Sequence, residues 1–356
     1  MGEYAPFEIQ AALAHIQVGI DTIVFDLYGF SQVDREAALG QSCVEDTSGS
    51  ELNDEDDEAI EYETSTTDGL LCWAVGVAFG HFDWRLATGE RKTPVEPDPF
   101  DPLPAKSPGM LPDGAVPFHA HAGILVDDPG HPHDLSHLVE EVLARVAMPV
   151  PDDVRRWLQR DFFAFHLQRY SRSRRKAPIY WPLATTSGSY TLWLYYPALS
   201  SQTLYTAIND FVEPKLKQVG SDLATLRSKG TARSREDEKR FETLQTLERE
   251  LSELRDTLLT IAPHYHPNHD DGVQITAARL WPLFRHKPWQ KILKETWARL
   301  EKGDYDWAHL ALNYWPERVR EKCKADKSLA IAHGLEALYV EPEAKPQKRR
   351  ARNTGA

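Results

Sequence analysis

Between Ser201 and Ile261 the apolar residues fall into two long stripes, and a chain that carries them must build a pair of packed helices. Leu204, Ile208, Phe211, Leu216, Val219, Leu223 and Leu226 form the first stripe. Phe241, Leu244, Leu247, Leu251, Leu254, Leu258 and Ile261 form the second. Steps of three and four put each set on one side of a helix, as in a coiled-coil seam. Ser228-Lys229-Gly230-Thr231 reads as the turn of an antiparallel pair. The second helix, about 27 residues at 1.5 Å each, spans roughly 40 Å.

Other patterns flank this hairpin. Residues 7–39 read as helix, with Ile9, Leu13, Ile16, Ile20, Ile23, Val24 and Leu27 recurring on one stripe and Gly29 as a stop. Leu70 to Trp84 is a compact apolar segment whose small residues Ala74, Gly76, Ala78 and Gly80 let another backbone approach. Residues 94–134, dense in Pro, Gly and Asp, read as one long loop. Helical patterns return at Asp134–Val146 and Asp152–Arg169. Ile179–Leu183 and Tyr190–Tyr196, aromatic and β-branched around a Ser187-Gly188 turn, read as a β-hairpin. The block from Trp281 to Leu338 is rich in tryptophan, whose tight burial is expected on hydrophobic grounds.

The expected fold class is α+β, predominantly α-helical. It divides into an N-terminal helical segment (1–44), an acidic linker (45–66) and a small mixed segment with the β-hairpin (67–200). The long antiparallel helical hairpin (201–262), a Trp-rich helical C-terminal domain (263–340) and a basic tail (341–356) follow.

Charge is unevenly spread. The formal net charge is −13, which argues against a protein that coats nucleic acid uniformly. Glu45 to Glu63 holds ten carboxylates and no Lys or Arg, whereas Arg155 to Lys176 holds eight Lys or Arg and the single acid Asp161. Cys43, Cys72 and Cys323 are odd in number and far apart, so no disulfide framework or cysteine zinc site follows. The first residues lack the basic and apolar regions of a secretory signal, and no apolar run is long enough to span a membrane. A cytoplasmic protein is expected.

The strongest chemical signal is Arg169-Tyr170-Ser171-Arg172-Ser173-Arg174-Arg175-Lys176, running into Tyr180-Trp181. Guanidinium and ammonium groups bind phosphate and release counterions, while Tyr and Trp rings stack on bases. Arg169, Arg172, Arg174, Arg175 and Lys176 are therefore candidate DNA contacts, with Tyr180 or Trp181 either stacking on a base or bracing the loop. The alternative is that the cations pair with the protein's own acids or with a neighbouring domain. Two histidine groups, His119, His121, His131, His133 and His137, and His264, His266 and His269 with Asp270 and Asp271, read better as solvated loop histidines than as metal ligands. Gly76-Val77-Ala78-Phe79-Gly80 reads as a packing segment rather than a cofactor loop. No Asx-Pro-Pro-aromatic motif, nucleophile elbow or phosphate-binding Gly-Lys-Ser/Thr loop occurs, so no catalytic, cofactor-binding or metal residue is assigned.

Four strings carry a wider likeness: IDTIVFDLYG from Ile20, WAVGVAFGHFDW from Trp73, DFFAFHLQRYSRSRRKAPIYW from Asp161, and YDWAHLALNYWPERVREKCKADKSLAIAHGLE from Tyr305. In this order they resemble the C-terminal region of the PglX-like adenine-specific DNA methyltransferases of BREX and DISARM phage-defence systems, over roughly residues 15–340. The resemblance implies that the methyl-donor domain, which uses S-adenosylmethionine, and much of the target-recognition domain lie N-terminal to this region. It implies for this chain a supporting role toward DNA, toward the methyltransferase half or toward other defence-system subunits, with no cofactor of its own. The acidic Glu45–Glu63 stretch, the loop after Arg91, and Pro197-Ala198 where that family often carries His and Arg depart from the pattern.

Overall fold

The computed structural model describes residues 6–35, 66–95, 97–98, 101–102, 104–172 and 175–341. The acidic Glu45–Glu63 stretch, Cys43 and the basic tail from Lys345 lie outside them. The chain divides into two compact units, one up to Leu70 and one from Leu71 onward. The mixed segment from Leu71, the helical hairpin and the Trp-rich block all belong to the second. The fold is α+β and predominantly helical, as expected.

In the first unit, α1 (Pro6–Leu27) stops where Gly29 turns left-handed at φ 66°. The stop was expected, but it splits the helix anticipated over 7–39. A further helical turn at 32–35 follows, opened by Ser31, whose hydroxyl and amide both bond to the Asp34 carboxylate. Along α1 the apolar stripe meets no partner among the described residues of its unit: Leu13, Ile16, Ile20, Ile23 and Leu27 are 49–79% exposed.

The second unit is organised around a three-stranded antiparallel sheet of order β1-β5-β4. The expected hairpin is β4 (Tyr180–Ala184) and β5 (Thr191–Tyr195), with Leu183 opposite Leu192. Its turn needs Gly188, at φ 78°. The third strand, β1 (Ile124–Asp127), lies in the stretch expected to be loop throughout, which corrects that reading. Successive strand residues face opposite sides of a sheet. Because Ile124, Leu125 and Val126 are all fully buried, both faces of this strand are covered, and it shows no polar alternation to reveal it.

Helices enclose the sheet. In α2 (Thr66–Ala78), Gly76 allows the ring of Phe82 to approach so closely that a Cβ there would meet it at 2.3 Å. What approaches Gly76 is thus a side-chain ring, not the second backbone expected from the small residues. A short turn, α3 (Arg85–Thr88), and α4 (Leu135–Arg145) follow. The helix expected over Asp152–Arg169 is broken at Asp161 into α5 (Val154–Arg160) and α6 (Phe162–Arg169).

In the helical hairpin, α7 (Thr203–Thr206) passes through a wider π turn (Ala207–Val212) into α8 (Glu213–Ser228). Pro214 explains the widening. Its nitrogen has no proton to give the carbonyl four residues back, and a π turn re-registers the ladder just ahead of it. The return helix α9 (Arg235–Ile261) opens with a capping box between Ser234 and Asp237. Val219, Leu223 and Leu226 are buried on one helix, and Leu251, Leu254, Leu258 and Ile261 on the other, as the two stripes require.

Five helices make up the C-terminal block: α10 (Val273–Ala278), α11 (Lys287–Lys302), α12 (His309–Tyr314), α13 (Pro316–Cys323) and α14 (Lys327–Ala332). Trp289 is fully buried and Trp297 is 7% exposed, but Trp307 keeps 47% of its surface in solvent, so the expected burial holds only in part.

Candidate nucleic-acid interface

The basic segment does not run as an extended chain. It folds back as a minimal ribbon, β2 (Ser171–Arg172) against β3 (Arg175–Lys176), with Arg172 opposite Arg175. Arg174 lies outside the described residues. The base of the ribbon is closed by the Ala177 amide donating to the Tyr170 carbonyl at 2.9 Å. Arg169, on the last turn of α6, is exposed, its guanidinium 5.3 Å from the Phe165 ring centre.

Tyr180 and Trp181 have the opposite fate. They are 1% and 0% exposed, so neither ring has a free face for a base. Stacking by these two residues is corrected, and bracing remains. Trp181 Nε1 donates to the Pro178 carbonyl at 2.7 Å, and the Tyr180 ring stacks on Phe79 at 4.9 Å. His166 ties this strand to α6, its Nε2 accepting from the amides of Ile179 and Tyr180 at 2.9 and 3.2 Å. A nitrogen that accepts twice carries no proton, so this imidazole is neutral with its proton on Nδ1. Burial pushes its pKa down to about 3, which agrees.

Two arginines of the same short helix divide the remaining roles. Arg155 pairs with Asp127 and Asp134, both nearly buried, and so joins the end of β1 to the start of α4. Arg160, one helical turn further on, is exposed and forms no ion pair with a described residue. It lines a cleft of about 470 Å³ together with Arg285 and His286, above a floor of Phe163, Pro182 and Trp193. Asp127 also borders this cleft, but Arg155 and Gln159 occupy its carboxylate.

The sequence reading did not single out Arg160, Arg285 or His286. Arg285-His286-Lys287, three basic residues just before Pro288 at the head of an amphipathic helix, was the available signal. Arg285 Nη1 donates to the Thr185 carbonyl at 2.6 Å, holding the guanidinium beside the Gly188 turn. It also borders a second cleft of about 340 Å³ that contains Glu250, Glu253 and Lys287. There the Glu250 carboxylate is occupied by the Ser187 amide and hydroxyl, at 3.2 and 2.6 Å. His286 caps α11: its Nδ1 accepts from the Trp289 amide at 3.4 Å, which places the ring proton on Nε2. Burial, aided by the neighbouring charge of Lys176, lowers the His286 pKa and favours the neutral donor form.

The two histidine groups separate. His119, His121, His131 and His133 are half-buried rather than solvated, which corrects the first reading. His119 Nε2 and His133 Nδ1 share a hydrogen bond of 2.7 Å, while His131 and His133 lie against the Phe211 ring. Burial lowers all four, His121 to about 4, so the cluster is neutral near pH 7. In the second group His269 bonds to the carbonyl of Tyr196 at 3.0 Å, and Asp271 accepts from the amides of His309 and Leu310 at 2.8 and 2.9 Å, capping α12. Among the described residues no group of three or more His, Cys, Asp or Glu is placed to hold a metal ion.

Nor do the two described cysteines supply a nucleophile. Burial raises the Cys72 thiol to about 11 and raises Cys323 as well, so both are protonated near neutrality. No helix among the described residues is long and apolar enough to cross a membrane. The described residues around α5, α6 and Arg285 offer hydrogen-bond donors, a chemistry that suits an anion. No protein-family model and no curated protein sequence matches the chain.

Proposed function

We propose that this chain is a non-catalytic, DNA-contacting part of an adenine-specific DNA methyltransferase of the BREX or DISARM type. The supporting observation is a set of cations that the protein leaves unneutralised. Arg160, Arg169, Lys176, Arg285 and Lys287 form no ion pair with any described residue, although the chain as a whole is strongly acidic. Such cations suit phosphate. The methyltransferase context rests on the four resembling strings. In that context a cytoplasmic partner would bring S-adenosylmethionine and the catalytic motif, and this chain would hold and position the duplex.

Binding to labelled duplex at several salt concentrations tests the reading. Affinity should fall steeply as salt rises. Replacing Arg172, Arg174, Arg175 and Lys176 with Ala should flatten that dependence by about one unit of slope for each phosphate no longer neutralised. No binding at low salt would sink it.

The exposed apolar side chains of α1 favour a second reading, a docking module for the methyltransferase half or another defence-system subunit. Co-purification of such a subunit in the absence of DNA, abolished by Ile20→Asp, distinguishes it.

A further inference from the structure

We propose that the cleft bordered by Arg160, Arg285 and His286 binds the phosphate of a single nucleotide, with its base laid on Pro182. This rests on the DNA-contact reading and gives it a specific site, distinct from the ribbon.

Size comes first. A cleft of about 470 Å³ falls in the range of small-ligand sites, roughly 300–1,000 Å³, and does not admit a duplex. An occupant drawn from nucleic acid is therefore one residue out of its stack.

Charge comes second. Two guanidiniums reach the cleft with no carboxylate partner among the described residues, and the Arg285 fork is held in place by the Thr185 carbonyl. A planar fork matches two phosphate oxygens at once. His286 adds a neutral Nε2–H, since its Nδ1 is committed to the Trp289 amide. The positive end of the 16-residue helix α11 lies at the same place. Of the acids facing the cleft and its neighbour, Asp127 is occupied by Arg155 with Gln159 and Glu250 by Ser187, while Glu253 lines only the neighbouring cleft.

Third is the floor. Pro182, half-buried on β4, is the surface a base can reach, while Phe163 and Trp193, at 7% and 2% exposure, back it without offering a free face. Apolar beneath and cationic at the rim is the arrangement that receives a base and its phosphate together.

One chemistry has two sources, a nucleotide within a strand or a free nucleotide, and the experiment separates them. The full chain is titrated with a short labelled single strand, with the four deoxynucleoside monophosphates and with inorganic phosphate. Each titration is repeated for Arg160→Glu, Arg285→Lys and the four-alanine ribbon variant, with thermal melts as the check on folding. Arg160 is exposed and forms no ion pair among the described residues, so Arg160→Glu should melt as the wild type does.

The expected result is binding of the single strand that Arg160→Glu weakens by about tenfold or more, the worth of one charge-assisted hydrogen bond. Arg285→Lys, which keeps the charge and removes the fork, should weaken it less. If DNA binds and only the ribbon variant loses affinity, the cleft proposal is overturned while DNA contact stands. If no strand binds but a monophosphate or phosphate does, and Arg160→Glu abolishes it, the cleft stands as a free-nucleotide or phosphate site and the DNA reading fails. If wild type binds neither, both fail.

Discussion

Two helices of this chain, α1 and α9, were recognised by the same apolar spacing and ended in opposite environments. In α9, Leu251, Leu254, Leu258 and Ile261 are at most 3% exposed, because α7, the π turn and α8 run back along this helix. In α1, Leu13 and Ile23 are 60% and 68% exposed. Spacing decides which side of a helix is apolar, but burial needs a second surface, and α9 has one within the described residues of its own unit whereas α1 does not. The comparison also shows where the chain invests in order. The outward half of α9 carries three acids in its first turn and a capping box, so its end is stabilised without packing.

The largest test of this contrast is a matched pair of truncations. Leu258→Ala should destabilise the second unit by about 2–5 kcal/mol, since it leaves a cavity in a closed seam. Ile20→Ala should change stability by no more than about 0.5 kcal/mol, as exposed substitutions do. Equal costs in denaturant unfolding would break the comparison by showing that α1 is covered in solution.

Acid is the next probe, because it loads the buried core and not the exposed helix. His166 and His121 are held neutral, with folded pKa values of about 3 and about 4 against an ordinary value near 6.5. Between those limits the unfolded chain binds protons that the folded chain refuses. Their contribution is therefore complete above about pH 6.5 and is lost progressively as the pH falls toward 4 and then 3. Unfolding midpoints of the second unit should decline across that window, and His166→Gln should make the decline shallower. A midpoint independent of pH from 7 to 4 would contradict the neutral, doubly accepting imidazole.

The smallest effect concerns the start of α9. Ser234→Ala removes the hydroxyl that accepts from the Asp237 amide at 3.1 Å and should cost about 1 kcal/mol. Hydrogen exchange should then quicken in the first turn of α9 and leave the Leu251–Ile261 seam unchanged.

Much of the fold was legible before the structure. The hairpin of β4 and β5, the Gly188 turn, the Gly29 stop and the α8–α9 seam all rest on local rules of spacing and turn chemistry. Strand β1 was not legible. Three apolar residues in a run of Pro, Gly and His carry no period, and only the edge of β5 makes them a strand. The site was half legible. The concentration of positive charge on α5 and α6 was plain, and so was the ribbon sequence, but the residue order left open whether Tyr180 and Trp181 stack on a base or brace the loop, and only their burial decides for the brace.

What the residue order determined by itself was therefore one-dimensional: which faces are apolar, where helices begin and stop, and where charge accumulates. What the tertiary structure alone decided was which partner each group meets. Arg155 is neutralised by Asp127 and Asp134, while Arg160, five residues later, opens onto a cleft completed by Arg285 from 125 positions away. Local bonding depends on near neighbours and can be read along the chain, whereas ion pairing and cleft formation depend on approach through space, which the chain reveals only once folded.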